Sequence, residues 1–147
     1  MAENMASILN KKGSSIWSIG PDDTVYDAIA AMASKAVGAL LVLSDGNLEG
    51  IISERDYARK VILQGRSSKE TLVHEIMTRP VFTVTPEHSV EECMKIMTEQ
   101  RIRHLPVMER GKVVGVISIG DMVRAIICAQ AETIDHLHSY ISGTYPS

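Results

Sequence analysis

"GVISIGD", residues 115–121, closes a run of strand-forming residues with a hydroxyl and a carboxylate three positions apart, and "GIISERD", residues 50–56, says nearly the same. The interval between the two aspartates is 65 residues. Sliding the chain by that interval lays "IWSIGPDDTVYDAIAAMASKAVGALLVLSDGNLEGIISERDYARKVI", residues 16–62, over "VFTVTPEHSVEECMKIMTEQRIRHLPVMERGKVVGVISIGDMVRAII", residues 81–127, without a gap. Pro21 falls on Pro86, Val25 on Val90, Met32 on Met97, Leu40 on Leu105, Gly46 on Gly111, Ser53 on Ser118 and Asp56 on Asp121. Apolar period, turn glycines and polar pairs do not align together by chance, so the chain encodes two copies of one supersecondary unit.

Each copy reads as βαββα. A short strand, Ile16 to Ile19 or Val81 to Val84, ends at a proline that cannot donate to a ladder. Thr24 and Ser89 are placed as helix N-caps, because their hydroxyls accept from the orphan amides of a first turn. Val25, Ala28, Ile29 and Met32 then recur at helical spacing, as do Val90, Cys93, Met94 and Met97, so each helix buries one face and the Met stripe belongs to the core. "ALLVLSDGNLEGIIS" and "HLPVMERGKVVGVIS" are hairpin signatures, two apolar runs around a turn. Ser53 and Ser118 stand where strand gives way to a second helix. A unit with so few short strands is unstable alone, so the fold class is α/β (α+β), with the copies packed sheet to sheet about a pseudo-twofold axis.

Outside the copies, "ENMASILNKKGSS" reads as a short helix and loop, and "LVHEIM" as its counterpart in the linker. Ile134, Leu137 and Ile141 recur at helical spacing before "SG", an extra amphipathic helix with a stop. The expected boundaries are a lead-in over 1–14, copy one over 15–66, a linker with a short helix over 67–80, copy two over 81–131, and a C-terminal helix and tail over 132–147.

Composition narrows the function. The 147 residues are 45% hydrophobic and 22% charged, ordinary globular values. No apolar run approaches the roughly 20 residues that span a bilayer, and the first residues lack the apolar centre of a signal peptide, so a cytoplasmic protein without a membrane segment is expected. A net charge of -3 with no basic block argues against nucleic acid as partner. Cys93 and Cys128 make neither a disulfide framework nor a metal cluster, and both read as small buried hydrophobes.

The duplicated βαββα, with "PDDTV" and "PEHSV" before the first helix, "RIRHLPV" leading into the hairpin and "GVISIGD" at the second helix, resembles the CBS domain. Two in tandem resemble a CBS pair, or Bateman module, over about Met5 to Gln130. The resemblance implies a regulatory module for adenosine compounds, AMP, ADP, ATP, NAD or S-adenosylmethionine, held in clefts between the copies. It implies an energy or redox-state sensor that signals to an unnamed regulated protein, assembled as a homodimer. It implies that the Asp of Ser-x-x-Asp holds the ribose hydroxyls and that the Ser bonds ribose or phosphate. The chemistry suits independently, since a carboxylate accepts two hydrogen bonds from a vicinal diol.

By the same resemblance, the residues before the first strand and before the hairpin wall the ligand. Copy two supplies Met77, Thr78, Pro80 and Val81, then Ile102, Arg103 and His104, with Ser118, Gly120 and Asp121. Copy one supplies Ile16, Val37, Gly38 and Ala39, with Ser53, Arg55 and Asp56. Arg103 and His104 stand where copy one has Gly38 and Ala39, so the two clefts should differ in affinity or ligand.

Other readings stay open on residues alone. Ser-x-x-Asp at a helix start is also an ordinary N-cap, and duplication repeats caps too. Arg103 and His104 fit a solvated pair, Arg55 fits an intrahelical ion pair, and Trp17 and Phe82 read as core. His136 and His138, two apart, face different sides of a helix and make a poor metal pair. Spacing allows a Ser118/His104/Asp121 nucleophile site, but copy one has Ala39 in the histidine position. With no G-x-S-x-G, Walker or G-x-G-x-x-G motif, the expectation is no catalysis, no catalytic residue, no catalytic cofactor and no metal. A dimeric scaffold without ligand binding is the alternative.

Overall fold

The structure is a computed structural model describing residues 3–141, with side chains described through Gln130. Helix α1 (Met5–Lys12) is capped by Asn4 and followed by copy one: β1 (Ser18–Ile19), α2 (Val25–Lys35), β2 (Ala39–Ser44), β3 (Asn47–Ser53) and α3 (Glu54–Tyr57). A π-helical turn, Ala58–Ile62, ends the copy. Helix α4 (Val73–Ile76) lies in the linker, and copy two holds α5 (Val90–Gln100), β4 (His104–Glu109), β5 (Lys112–Ser118) and α6 (Ile119–Ile141).

The local chemistry is that of the sequence. Thr24 and Ser89 accept from the amides of Asp27 and Glu92 and so start α2 and α5. Val25, Ala28 and Met32 are buried, and so are Val90, Cys93 and Met97. Both hairpins turn through two residues of positive φ, Asp45 (52°) and Gly46 (80°) in one, Arg110 (54°) and Gly111 (77°) in the other. That is the mirror-image turn whose twist matches antiparallel strands. Each hairpin also shifts register at the same place, Val42/Leu43 and Val107/Met108.

The first strands come out shorter than the sequence suggested. In copy one, Leu41 donates its amide to Trp17, and β1 runs parallel to β2 over Ser18 and Ile19. The matching donor in copy two is Pro106, which has no N–H, so only the bridge of Val84 to Val107 forms there. One sheet therefore has the order β1-β2-β3, and the other is the pair β4-β5.

The lead-in segments are exchanged between the copies. Met5, Ile8 and Leu9 of α1 join the core of copy two, with Val84, Val90, Cys93, Met97, Leu105, Val107, Ile117 and Met122. Val73 and Ile76 of α4 join the core of copy one, with Val25, Ala28, Met32, Leu40, Val42, Ile52 and Val61. The same backbone bonds fix both. Met5 donates to His88, Ala6 to Pro86, and Val90 to Glu3; Val73 donates to Asp23, His74 to Pro21, and Val25 to Thr71. Two glycines make room for the exchange. A Cβ on Gly115 would lie 2.6 Å from Leu9 Cδ2, and one on Gly50 would lie 2.8 Å from Met77 Sδ. Each half of the molecule is thus completed by chain from outside it, which supplies burial that two or three short strands lack.

Three expectations are corrected. Helix α6 continues to Ile141 as one element, because residues 122–141 hold no Gly or Pro to end it. Its partners in the tail reading, the "SG" at 142–143 and the side chains of Ile134, His136, Leu137, His138 and Ile141, lie outside the described residues. Trp17 and Phe82 are 41% and 42% exposed rather than core, because they sit where the first-strand ladder is only beginning; Lys35 Nζ stands 4.6 Å from the Trp17 ring centroid. Cys128 is exposed, while Cys93 is buried, and burial followed by the Glu92 charge pushes its thiol up to about 11.

Candidate functional site

Both Ser-x-x-Asp elements form capping boxes. In copy two, the Asp121 amide donates to Ser118 Oγ at 3.2 Å, while the Ser118 amide donates back to Asp121 Oδ2 at 2.8 Å. In copy one, Asp56 and Ser53 make the same pair at 3.1 and 3.0 Å, and Ser53 Oγ also donates to Asp56 Oδ2. The ordinary N-cap reading is therefore correct as far as it goes. A cap does not need burial, however, and these carboxylates are only 6% and 7% exposed.

What surrounds each carboxylate comes from three places. Asp121 Oδ2 accepts from Lys12 Nζ of the exchanged α1 at 2.7 Å, and Oδ1 accepts from Arg124 at 2.6 Å. Lys12 Nζ also donates to the Val116 carbonyl at 2.9 Å, which ties it to β5. Asp56 Oδ1 accepts from Thr78 Oγ1 at 3.0 Å and lies 3.1 Å from Lys60 Nζ, itself bonded to the Ile76 carbonyl. The entries to the hairpins close each corner. The Ile119 amide donates to the Arg103 carbonyl and the Glu54 amide to the Gly38 carbonyl, while His104 pairs with Ser118 and Ala39 with Ser53 across the ladders.

The structure therefore brings together Ser118, Gly120, Asp121, Arg103 and His104 in one corner, and Ser53, Asp56, Gly38 and Ala39 in the other. One grouping changes. The sequence groups Met77 and Thr78 with the second-copy carboxylate, but Thr78 bonds Asp56 and the Met77 side chain packs on Gly50, because the lead-ins cross to the opposite copy. Val37 and Ile102 pack against the two cores. Ile16, Pro80 and Val81 take part in none of the hydrogen bonds described for either carboxylate, and Arg55 is exposed beside Asp56. Lys12, Lys60 and Arg124 were missed. The last two sit four and three residues after their aspartates, a helical spacing that signals contact; Lys12 had no local signal.

Electrostatics distinguish the copy-two corner. Burial pushes the Asp121 carboxyl up, but hydrogen bonds from Lys12 and Ser118 and the Lys12 charge outweigh it and hold it below its ordinary value. Burial pushes the His104 imidazole down; Asp121 opposes this, and the charges of Lys12 and Arg103 add to it. His104 is thus neutral near pH 7. Among the described residues no hydrogen bond joins its ring to Ser118 Oγ, which accepts from the Asp121 amide.

The profile of the CBS domain matches residues 12–62 and 73–128. The chain belongs to the CBS-domain family. It is 49% identical over 138 residues, 90% of this chain and 66% of the relative, to a mitochondrial CBS-domain protein of Arabidopsis thaliana. A CBS-domain protein of Burkholderia ambifaria, named for a role in signal transduction, is 53% identical, with a TM-score of 0.85 over 87% of this chain and 96% of that one. A CBS pair crystallised with 5′-methylthioadenosine and S-adenosyl-L-methionine shares the fold at a TM-score of 0.76 and 23% identity, over 86% of this chain and 97% of that one. In this CBS pair, no helix of the described residues is long and apolar enough to cross a membrane, and no group of three or more His, Cys, Asp and Glu among them is placed to hold a metal.

Proposed function

We propose that this CBS pair is a regulatory module that binds adenosine compounds, AMP, ADP, ATP or NAD among them, at corners built on Asp121 and Asp56, and reports energy or redox state to a partner protein. The observation that carries the reading is a buried carboxylate at the same place in both copies, held by its own helix cap and bonded otherwise to side-chain donors that can move. The Arg124 side chain is 71% exposed, so a ribose diol can take its place on Asp121 without unfolding anything. The ligands of the CBS pair of like fold, both adenosine derivatives, support the same class. Catalysis forms no part of the reading, and its setting is the cytoplasm.

Exchange of the lead-ins supplies the signal. A ligand at either corner touches the Ser-x-x-Asp of one copy and a lead-in residue that precedes the other, Lys12 or Thr78. Binding therefore shifts how the two halves are tied, and a surface read by the partner changes with it. The homodimer is part of this proposal. Ile62, Val123 and Ile127 are exposed apolar residues on the second helical segments of both copies, with exposed Leu63 just past the first of them, and Ile62 and Ile127 are equivalent in the repeat. Those faces would serve a ligand-free scaffold equally well, so ligand binding decides between the two readings.

A thermal-shift series with AMP, ADP, ATP, NAD and S-adenosylmethionine makes the decision. The sensor reading expects a midpoint that rises with the logarithm of ligand concentration for at least one of them. No rise with any, at millimolar ligand, leaves the scaffold.

A further inference from the structure

We propose that the Asp121 corner is the anion-selective one: it takes a phosphorylated adenosine, and Lys12 on the exchanged helix α1 recognises the phosphate, whereas the Asp56 corner suits an adenosine without phosphate. The inference rests on the nucleoside reading above and adds to it which corner takes which charge.

The lead-ins carry the difference. Each delivers one donor to the opposite copy's carboxylate, an ammonium from Lys12 in one corner and a neutral hydroxyl from Thr78 in the other. The surroundings point the same way. Asp121 is faced by Lys12 and Arg124, and the Arg103 charge is felt at the neighbouring His104. Two cations, Lys12 and Arg124, thus bond that one carboxylate directly. At the Asp56 corner, Lys60 and Arg55 are offset by Asp56 and by Glu54, whose Oε1 lies 3.6 Å from where a Cβ on Gly38 would be. Copy two has Ile119 in place of Glu54, so it lacks that second acid.

A diol arriving at Asp121 competes with Lys12 and Arg124 for the carboxylate oxygens. The displaced Lys12 is still tethered to the Val116 carbonyl of β5, so its charge stays at the corner for the phosphate of the same ligand. Adenosine has to displace these cations and offers them nothing in return. A nucleotide replaces one carboxylate contact with a phosphate contact, and its phosphate is drawn by the net positive field.

The test is calorimetric titration of the intact protein with adenosine and with ATP, for the native sequence, Lys12→Met, Lys12→Arg, Asp121→Asn and Asp56→Asn. Lys12→Met is expected to weaken ATP by about 10- to 100-fold, and to leave adenosine within about threefold or tighter, because Asp121 loses an internal competitor. Lys12→Arg restores most of the ATP affinity, which a merely structural lysine would not require. Asp121→Asn removes the ATP site and Asp56→Asn keeps it. Equal loss of adenosine and ATP in Lys12→Met, or loss of the ATP site in Asp56→Asn, overturns this inference while leaving the nucleoside reading standing. Absence of binding by either compound overturns both. Raising salt supplies a check without substitutions: ATP affinity falls and adenosine affinity does not.

Discussion

Lys12 Nζ stands 2.7 Å from Asp121 Oδ2, a contact between residues 109 apart in the chain that ties its first helix to its last. The carboxylate it meets already answers Ser118 in the capping box of α6, so one buried aspartate joins a helix start, an exchanged lead-in and a candidate ligand corner. That coupling makes the corner sensitive to anything that changes charge on either partner.

Acid should therefore loosen copy two through Asp121. Its folded pKa lies below the ordinary 3.8, so in the interval between the folded and unfolded values the unfolded chain binds more protons, and stability rises with pH. The contribution is fully present above the unfolded value and is lost as pH falls through the folded one. Asp121→Asn is expected to cost about 1–3 kcal/mol at pH 7, and the gap from the native sequence should narrow as urea unfolding is repeated at falling pH below about 4. A gap that stays constant with pH contradicts the assignment.

His104 gives a spectroscopic reading of the same corner. Burial, then the opposing Asp121 charge, then Lys12 and Arg103 set its depressed pKa. Its stability contribution is present above its unfolded value, about 6.5, and is lost as pH falls through the lower folded one. In an NMR titration, Lys12→Met should move the His104 midpoint up and Asp121→Asn should move it down. Unchanged midpoints in both variants would place the ring away from the pair.

The repeat, all four main helix caps and both hairpins were legible in the sequence, because each is a local pattern: Thr24 and Ser89 ahead of an apolar period, turn residues between apolar runs. The exchange was not. Met5, Ile8 and Leu9 announce a buried face, but nothing local says which copy's sheet will cover it. The lead-ins also align at a different interval, 68 residues between Met5 and Val73 against 65 between the copies, because Gly13, Ser14 and Ser15 lengthen the first connection. A gapless comparison misses that. Lys12 went unseen with it, and so did the true partner of Thr78. Pro106 was visible, yet its effect on the first strand depends on knowing that its absent amide faces Phe82.

Gly115 and Leu9 test the exchange directly. Gly115→Ala places a methyl 2.6 Å from Leu9 Cδ2, inside a packed core, and should cost about 1–3 kcal/mol. In a Leu9→Ala background that clash is gone, and alanine in a strand should be neutral or better than glycine. A double-mutant cycle by urea unfolding should show a coupling of about 1 kcal/mol or more. Additive effects would mean that α1 does not rest on β5.

The proposed dimer is tested on the exposed apolar faces. Ile62 and Ile127 are 56% and 57% exposed and occupy the same place in the two copies, so one symmetric contact can bury both pairs at once. Covering the exposed half of each isoleucine is worth roughly 1 kcal/mol of transfer from water, and a C2 contact counts every substitution twice. Ile62→Glu with Ile127→Glu puts four carboxylates into that contact. Light scattering behind size-exclusion chromatography should give twice the 16.1 kDa chain mass for the native sequence and the chain mass itself for the double variant. A native monomer overturns the dimer, and a dimer indifferent to both substitutions moves the interface elsewhere; either result leaves these helices as the surface a partner reads.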